Sequence, residues 1–145
     1  MNYLVPAGLL YTRQHEWARV EEDETGKGVR VGVTDYAQAK LGEVVYVRLP
    51  KPGSFKKGSV LAELEAYKGV AEVYAPVSGE LVAANDVLRS SPELVNQDPY
   101  GKGWIALLKP SNMEAEIAEL LNPEEYSKIG GKDERRGRRS LLAAF

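Results

Sequence analysis

One lysine in this chain sits where covalent chemistry can be hung on it. The stretch Val60-Leu61-Ala62-Glu63-Leu64-Glu65-Ala66-Tyr67-Lys68-Gly69-Val70-Ala71-Glu72-Val73-Tyr74-Ala75-Pro76 holds two short apolar-rich runs punctuated by Glu. Their length and composition suit strands, and the residue between them suited to a tight turn is Gly69. Lys68 therefore falls at a hairpin tip. A lysine held out on a rigid turn is solvated and loses no packing when its amine is acylated, which is what a swinging-arm carrier needs. Taken alone, the same pattern also describes a solubilising lysine that discourages edge pairing.

Other chemistries find less support. The chain has no cysteine, which excludes disulfides, thiolate zinc sites and cysteine nucleophiles, so any sulfur redox chemistry has to ride on a prosthetic group. The single His15 excludes every mechanism needing two imidazoles, and no glycine-rich phosphate loop follows a strand. His15 by itself reads as a surface or packing residue, because a metal site needs several donors. The 145 residues carry a formal net charge of -2, which argues against nucleic acid as the main partner. The chain is thus expected to be a non-catalytic component.

The context of Lys68 adds a resemblance. Glu65-Ala66-Tyr67-Lys68 followed by Glu72-Val73-Tyr74-Ala75-Pro76-Val77-Ser78-Gly79-Glu80-Leu81-Val82 closely resembles the lipoyl-lysine segment of the glycine cleavage system H protein family. Upstream, Tyr11-Thr12-Arg13-Gln14-His15-Glu16-Trp17, Val31-Gly32-Val33-Thr34-Asp35-Tyr36-Ala37-Gln38 and Leu41-Gly42-Glu43-Val44-Val45-Tyr46-Val47 fall in the family's order. Asn85-Asp86, Ser91-Pro92-Glu93-Leu94-Val95-Asn96, Asp98-Pro99-Tyr100 and Gly103-Trp104-Ile105 continue it downstream, so the likeness spans residues 9 to 128.

The resemblance implies lipoate joined to Lys68 by an amide, a long neutral tether ending in a dithiolane. It implies a carrier that shuttles the aminomethyl group and reducing equivalents of glycine between enzymes. Its partners would be glycine decarboxylase, a pyridoxal phosphate enzyme, then an aminomethyltransferase, dihydrolipoamide dehydrogenase, and the lipoate ligase or lipoyl transferase that loads the arm. In the family an acid-lined groove shelters the loaded arm, and its acidic positions map onto Glu16 and Glu72. Read from spacing alone, both are ordinary strand carboxylates.

The chain departs from the family in places. Ala66-Tyr67 replaces the usual Ser-Val before the lysine, Gly69 follows it where Ala is common, Tyr36 stands where His is frequent, and Gln14 replaces a frequent Ser. These leave the acceptor lysine in place but open a second reading, an H-like lipoate carrier serving a sulfur-oxidation complex that resembles heterodisulfide reductase. A third is a binding module whose Lys68 stays a free amine. A biotin carrier fits less well, since neither Met1 nor Met113 flanks the lysine.

The elements that have to position Lys68 read as many short strands broken by Gly, Pro and Asp. Strands are expected at 17–21, 27–33, 43–48, 60–66, 70–74, 80–84 and 104–109, with turns at Lys51-Pro52-Gly53-Ser54 and Lys56-Lys57-Gly58-Ser59. The expected fold is mostly β, a flattened barrel or sandwich of the lipoyl-carrier type with short peripheral helices and a C-terminal helix pair. Thr34 or Asp35 caps a helix that Gly42 stops, and Ser91-Pro92 opens a single turn. Ser111 and Glu114 have the spacing of a capping box ahead of Met113, Ile117, Leu120 and Leu121, a stripe read as core packing. Asn122-Pro123-Glu124-Glu125 starts a last helix toward Ile129.

Residues 1–130 are expected to form one carrier domain that buries about two-thirds of its unfolded surface. Residues 131–145 hold five basic side chains against two acidic ones, a net +3 on a body of -5, and are expected to be a disordered, solvated tail. Ser140 to Phe145 ends it with a short apolar run. No apolar run approaches the about 20 residues that span a bilayer, so a cytoplasmic monomer with no membrane partner is expected.

Overall fold

The computed structural model describes residues 3–129; the expected basic tail at 131–145 and its apolar end lie outside the described residues. In chain order come β1 (Leu10–Tyr11), β2 (Glu16–Asp23), β3 (Gly26–Val33), α1 (Asp35–Leu41), β4 (Val44–Arg48), β5 (Ser54–Phe55), β6 (Val60–Ala66) and β7 (Gly69–Tyr74). Then follow β8 (Gly79–Ala84), a 3-10 turn at Asp86–Arg89, α2 (Leu94–Gln97), β9 (Ala106–Pro110), α3 (Met113–Ile117) and α4 (Pro123–Ile129).

Alternation along the strands decides the layers. In β3, Val29, Val31 and Val33 are buried while Lys27 is exposed; in β6 and β7, Ala62, Leu64, Ala71 and Val73 point inward while Glu63, Glu65 and Glu72 do not. Six strands in the order β1-β2-β3-β9-β8-β5 make one sheet and three in the order β4-β6-β7 the other, and the strand pairs are antiparallel. Val31 and Leu108 of the first sheet share one core with Leu64 and Val73 of the second, so the layers face each other across a dry interior. The result is a mostly β two-layer carrier fold whose sheets stay separate and do not close into a barrel.

The helices follow their local signals, with two corrections. Thr34 caps α1 by accepting the Ala37 N–H on its hydroxyl, and Gly42, at φ 83°, ends it as its N–H bonds the Gln38 carbonyl. At α3 the expected box between Ser111 and Glu114 does not form: the cap position is Asn112, without a side-chain bond, because Ser111 is drawn to the Ser78 carbonyl through its N–H. The reciprocal box lies one helix later. Glu125 N–H donates to Asn122 Oδ1 at 2.8 Å and Asn122 N–H to Glu125 Oε1 at 2.9 Å, at the start of α4. α3 stops at Ile117, yet Ile117, Leu120 and Leu121 do pack on the cores, and Leu121 reaches its place by pairing its main chain with Tyr11.

Two further segments differ from expectation. Ser54, read as turn, begins the edge strand β5 because Phe55 and Ser54 pair with Gly79 and Glu80. The Ser91-Pro92 turn is followed by a helix that starts at Leu94, and it is preceded by the 3-10 turn at Asp86–Arg89.

Motif residues far from the hairpin hold the frame. Asn96 accepts the Val44 N–H and donates to the Gly42 carbonyl, tying α1, α2 and the start of β4 together; Asn85 donates to the carbonyls of Lys102 and Trp104. Trp17, fully buried, donates its indole N–H to the Pro99 carbonyl and lies over Gly32, its cross-strand partner. A Cβ at Gly32 would stand 2.6 Å from three indole atoms. Gly32→Ala is therefore expected to lower unfolding stability by about 1–3 kcal/mol, the usual cost of overpacking. Urea denaturation checks this, and an unchanged midpoint would show that the indole moves aside freely.

Candidate functional site

Ala66 stands opposite Gly69 in the β6–β7 pairing, so the turn is only Tyr67 and Lys68. Both side chains are exposed, Tyr67 to 81%. Behind them the turn is anchored by Leu64 opposite Ala71 and Ala62 opposite Val73, all buried. A projecting primary amine on a rigid base, with no packed neighbour to lose, suits acylation by a long chain. The flank of the turn is apolar and acidic: Tyr46, Val45 and Val70 are exposed, and Glu63, paired with Arg48 at 2.7 Å, lies on the same face as Glu65 and Glu72.

The two carboxylates singled out in the sequence occupy different surroundings, joined by one residue. Glu72 is half-buried on β7 and accepts the Tyr74 hydroxyl on Oε1 at 2.8 Å. Glu16 is 1% exposed at the start of β2, in the other sheet. Its Oε1 accepts the Thr12 hydroxyl, and its Oε2 accepts the Tyr74 main-chain N–H at 3.0 Å. Glu16 is thus no ordinary solvated carboxylate but a crosslink between layers. Burial pushes its carboxyl up to about 7, against the opposing pull of the bonds from Thr12 and Tyr74.

The local backbone puts Glu16 there. His15 adopts φ 73°, in the left-handed region, closing a turn in which its N–H bonds the Thr12 carbonyl and the Thr12 N–H bonds the Glu16 carbonyl. As expected of a packing residue, His15 is wholly buried; its Nδ1 lies 2.6 Å from the Tyr126 hydroxyl, which lies 2.8 Å from Thr34 Oγ1. Tyr126 stacks on Tyr11 at 4.7 Å, and its burial holds its phenol protonated far above the usual range. Tyr36, at the position of the family's frequent His, is buried under the Tyr3 ring and against His15.

A cavity of about 190 Å³ opens beside this crosslink, walled by Thr12, Gln14, Glu16, Tyr74 and Leu121. A wider groove of about 860 Å³ runs past Lys56, Ser78 and Lys109, with none of Lys68, Glu16 or Glu72 in its lining. Thr12 and Tyr74 escaped the sequence reading as site residues: both lie inside the quoted motifs, yet nothing in their spacing shows that they meet at Glu16. Among the described residues no group of three or more His, Cys, Asp or Glu could hold a metal ion, and no helix is long and apolar enough to cross a membrane.

Fold and hairpin together define a two-layer β carrier that presents one lysine at a turn. The family model for the glycine cleavage H-protein matches residues 9–133. A probable glycine cleavage system H protein of Pyrococcus abyssi is 54% identical over 129 residues, covering 88% of this chain and 93% of its own. The glycine cleavage system H protein of Thermus thermophilus is 49% identical, with 86% and 94% covered. The crystal structure of a glycine cleavage system H protein from Mycobacterium marinum superposes with a TM-score of 0.77 at 34% identity, covering 88% and 99%. The chain belongs to the glycine cleavage H-protein family.

The buried Glu16 makes stability pH-dependent. Its carboxyl holds a proton more tightly folded than unfolded, so the native state binds the extra proton between about 4.5 and about 7 and loses stability as pH rises through that window. The change is on the order of 3 kcal/mol. Glu16→Gln is expected to flatten this dependence, measured as melting temperature against pH. Parallel profiles for variant and parent would show that Glu16 titrates normally.

Proposed function

We propose that this chain is the lipoyl-lysine carrier of a glycine cleavage system, with lipoate attached through an amide to Lys68. The observation that carries this reading is the two-residue turn: an exposed lysine on a hairpin whose base is locked into the core, within a family named for glycine cleavage. When attached, the dithiolane of lipoate supplies the ability to accept a one-carbon fragment and two electrons together. The protein's own part is to hold the tether out, bound its travel and shelter its loaded end. Its partners are glycine decarboxylase, the aminomethyltransferase, dihydrolipoamide dehydrogenase and the enzyme that attaches lipoate. The relatives' glycine-cleavage names favour this client set over a sulfur-oxidation complex.

Geometry bounds where the arm can rest. A straight lipoyl-lysine reaches roughly 15 Å from Cα to the far sulfur at ordinary bond lengths. At a strand rise of about 3.3 Å per residue, Glu72 lies ~13 Å along β7 from Lys68 and Tyr74 ~20 Å. Glu72 is therefore within easy reach, whereas the cavity beside Glu16 is reached only at nearly full extension. A carboxylate at either place favours an arm end that carries an ammonium, because opposite charges attract strongly away from bulk water. Glu72 and Glu16 are assigned to this groove.

Lys68→Arg keeps charge and fold but removes the nucleophilic amine, since a guanidinium stays protonated. Intact mass after co-expression with lipoate ligase is expected to show the parent lipoylated and the variant bare; a lipoylated variant would place the attachment elsewhere. The lipoylated parent is expected to support exchange of bicarbonate with glycine by glycine decarboxylase, and a chain that fails this while accepting a sulfur substituent serves other clients.

A further inference from the structure

We propose that Tyr74 is the positioning residue of the arm groove, its main chain fixed by Glu16 and its phenol fixing the Glu72 carboxylate. This rests on the assignment of Glu72 to the groove and adds what makes that carboxylate effective. Glu72 and Tyr74 are two residues apart on β7, so their side chains leave the same face of the strand. The Tyr74 hydroxyl donates to Glu72 Oε1 at 2.8 Å while the Tyr74 N–H donates to Glu16 Oε2 at 3.0 Å. Glu16 in turn is held from its other oxygen by Thr12 and from its own N–H by Thr12 Oγ1 at 3.0 Å.

The consequence is a division of labour between the two acids. Glu16 is 1% exposed, and each of its oxygens already accepts a bond from the chain. It lies near the limit of the arm's reach, and an incoming ammonium would have to compete with Thr12 and Tyr74 for it. Glu72 is half-buried and well within reach. A carboxylate on a strand can otherwise rotate about its side-chain bonds, and binding a cation would then cost rotamer freedom. The phenol removes that freedom beforehand. Glu16 acts through Tyr74, and Glu72 is the acid that meets the arm.

Two measurements on the full-length chain test this, one without lipoate. In the unlipoylated protein, the Glu72 side-chain carboxyl signal in carbon NMR is expected to move in Tyr74→Phe, which keeps the ring and the main-chain N–H. In protein lipoylated, matched by intact mass and loaded by glycine decarboxylase, release of ammonia without the aminomethyltransferase is expected to quicken about tenfold in Tyr74→Phe, the size of one lost bond to a charged group. Glu72→Gln is expected to match it, and the double variant to be no faster than Glu72→Gln alone, a non-additivity that general loosening would not produce.

An unmoved Glu72 signal, or fast release in Glu72→Gln with parental release in Tyr74→Phe, overturns the role of Tyr74 while leaving the groove standing. Parental release in both variants removes Glu72 from the groove and the proposal with it. Should Tyr74→Phe melt early, Glu72→Gln still breaks the same bond from the other side, and parental ammonia release there overturns the proposal.

Discussion

Register between β6 and β7 is the constraint on which the lysine depends. With Ala66 opposite Gly69, Leu64 meets Ala71 and Ala62 meets Val73 inside the core, and the turn is left with Tyr67 and Lys68. A slip of one residue would exchange this buried set for Glu63, Glu65 and Glu72, placing acids in the dry interior. The hydrophobic core thus fixes the turn, and the turn fixes the amine. A carrier whose tether swings freely still needs such a base, because reach is measured from a point that does not move.

The second organising contact crosses the layers. Glu16 leaves the six-stranded sheet and takes the main-chain N–H of Tyr74, a residue of β7, which is an edge strand of the smaller sheet. Edge strands present unpaired main-chain donors, and a buried carboxylate here satisfies one of them. Holding Glu16 in place requires the left-handed backbone at His15, and His15 is held by packing against Tyr36 and Tyr126. The last helix therefore supports the groove from behind, with Tyr126 as its anchor and Tyr11 stacked on it. A buried carboxylate with a raised affinity for its proton is the thermodynamic cost of this crosslink.

Much of the fold was legible because its signals are local. Strand alternation placed β3, β6 and β7 to within a residue, and Thr34 with Gly42 bounded α1 by chemistry confined to one turn of helix. Errors arose where two local signals competed. Ser111-x-x-Glu114 and Asn122-x-x-Glu125 have the same spacing, but Ser111 is claimed by the Ser78 carbonyl across the molecule, so only the second becomes a box. Ser54 looked like turn because a two-residue edge strand has no pattern of its own; its partners in β8 make it a strand.

At the site the division is similar. Lys68 at a turn was readable from the sequence by itself, because a hairpin tip is specified by its two flanking strands and the residues between them. Glu16 and Glu72 could be pointed to only through a family resemblance, and their link could not be read at all. Glu16 and Tyr74 are 58 positions apart, and their bond joins different sheets. Short-range patterning determined the elements and the lysine's place on them. Which carboxylate is buried, which stays within the arm's reach and which tyrosine joins them was decided only when two sheets closed on a common core, since burial and distance are properties of the packed chain.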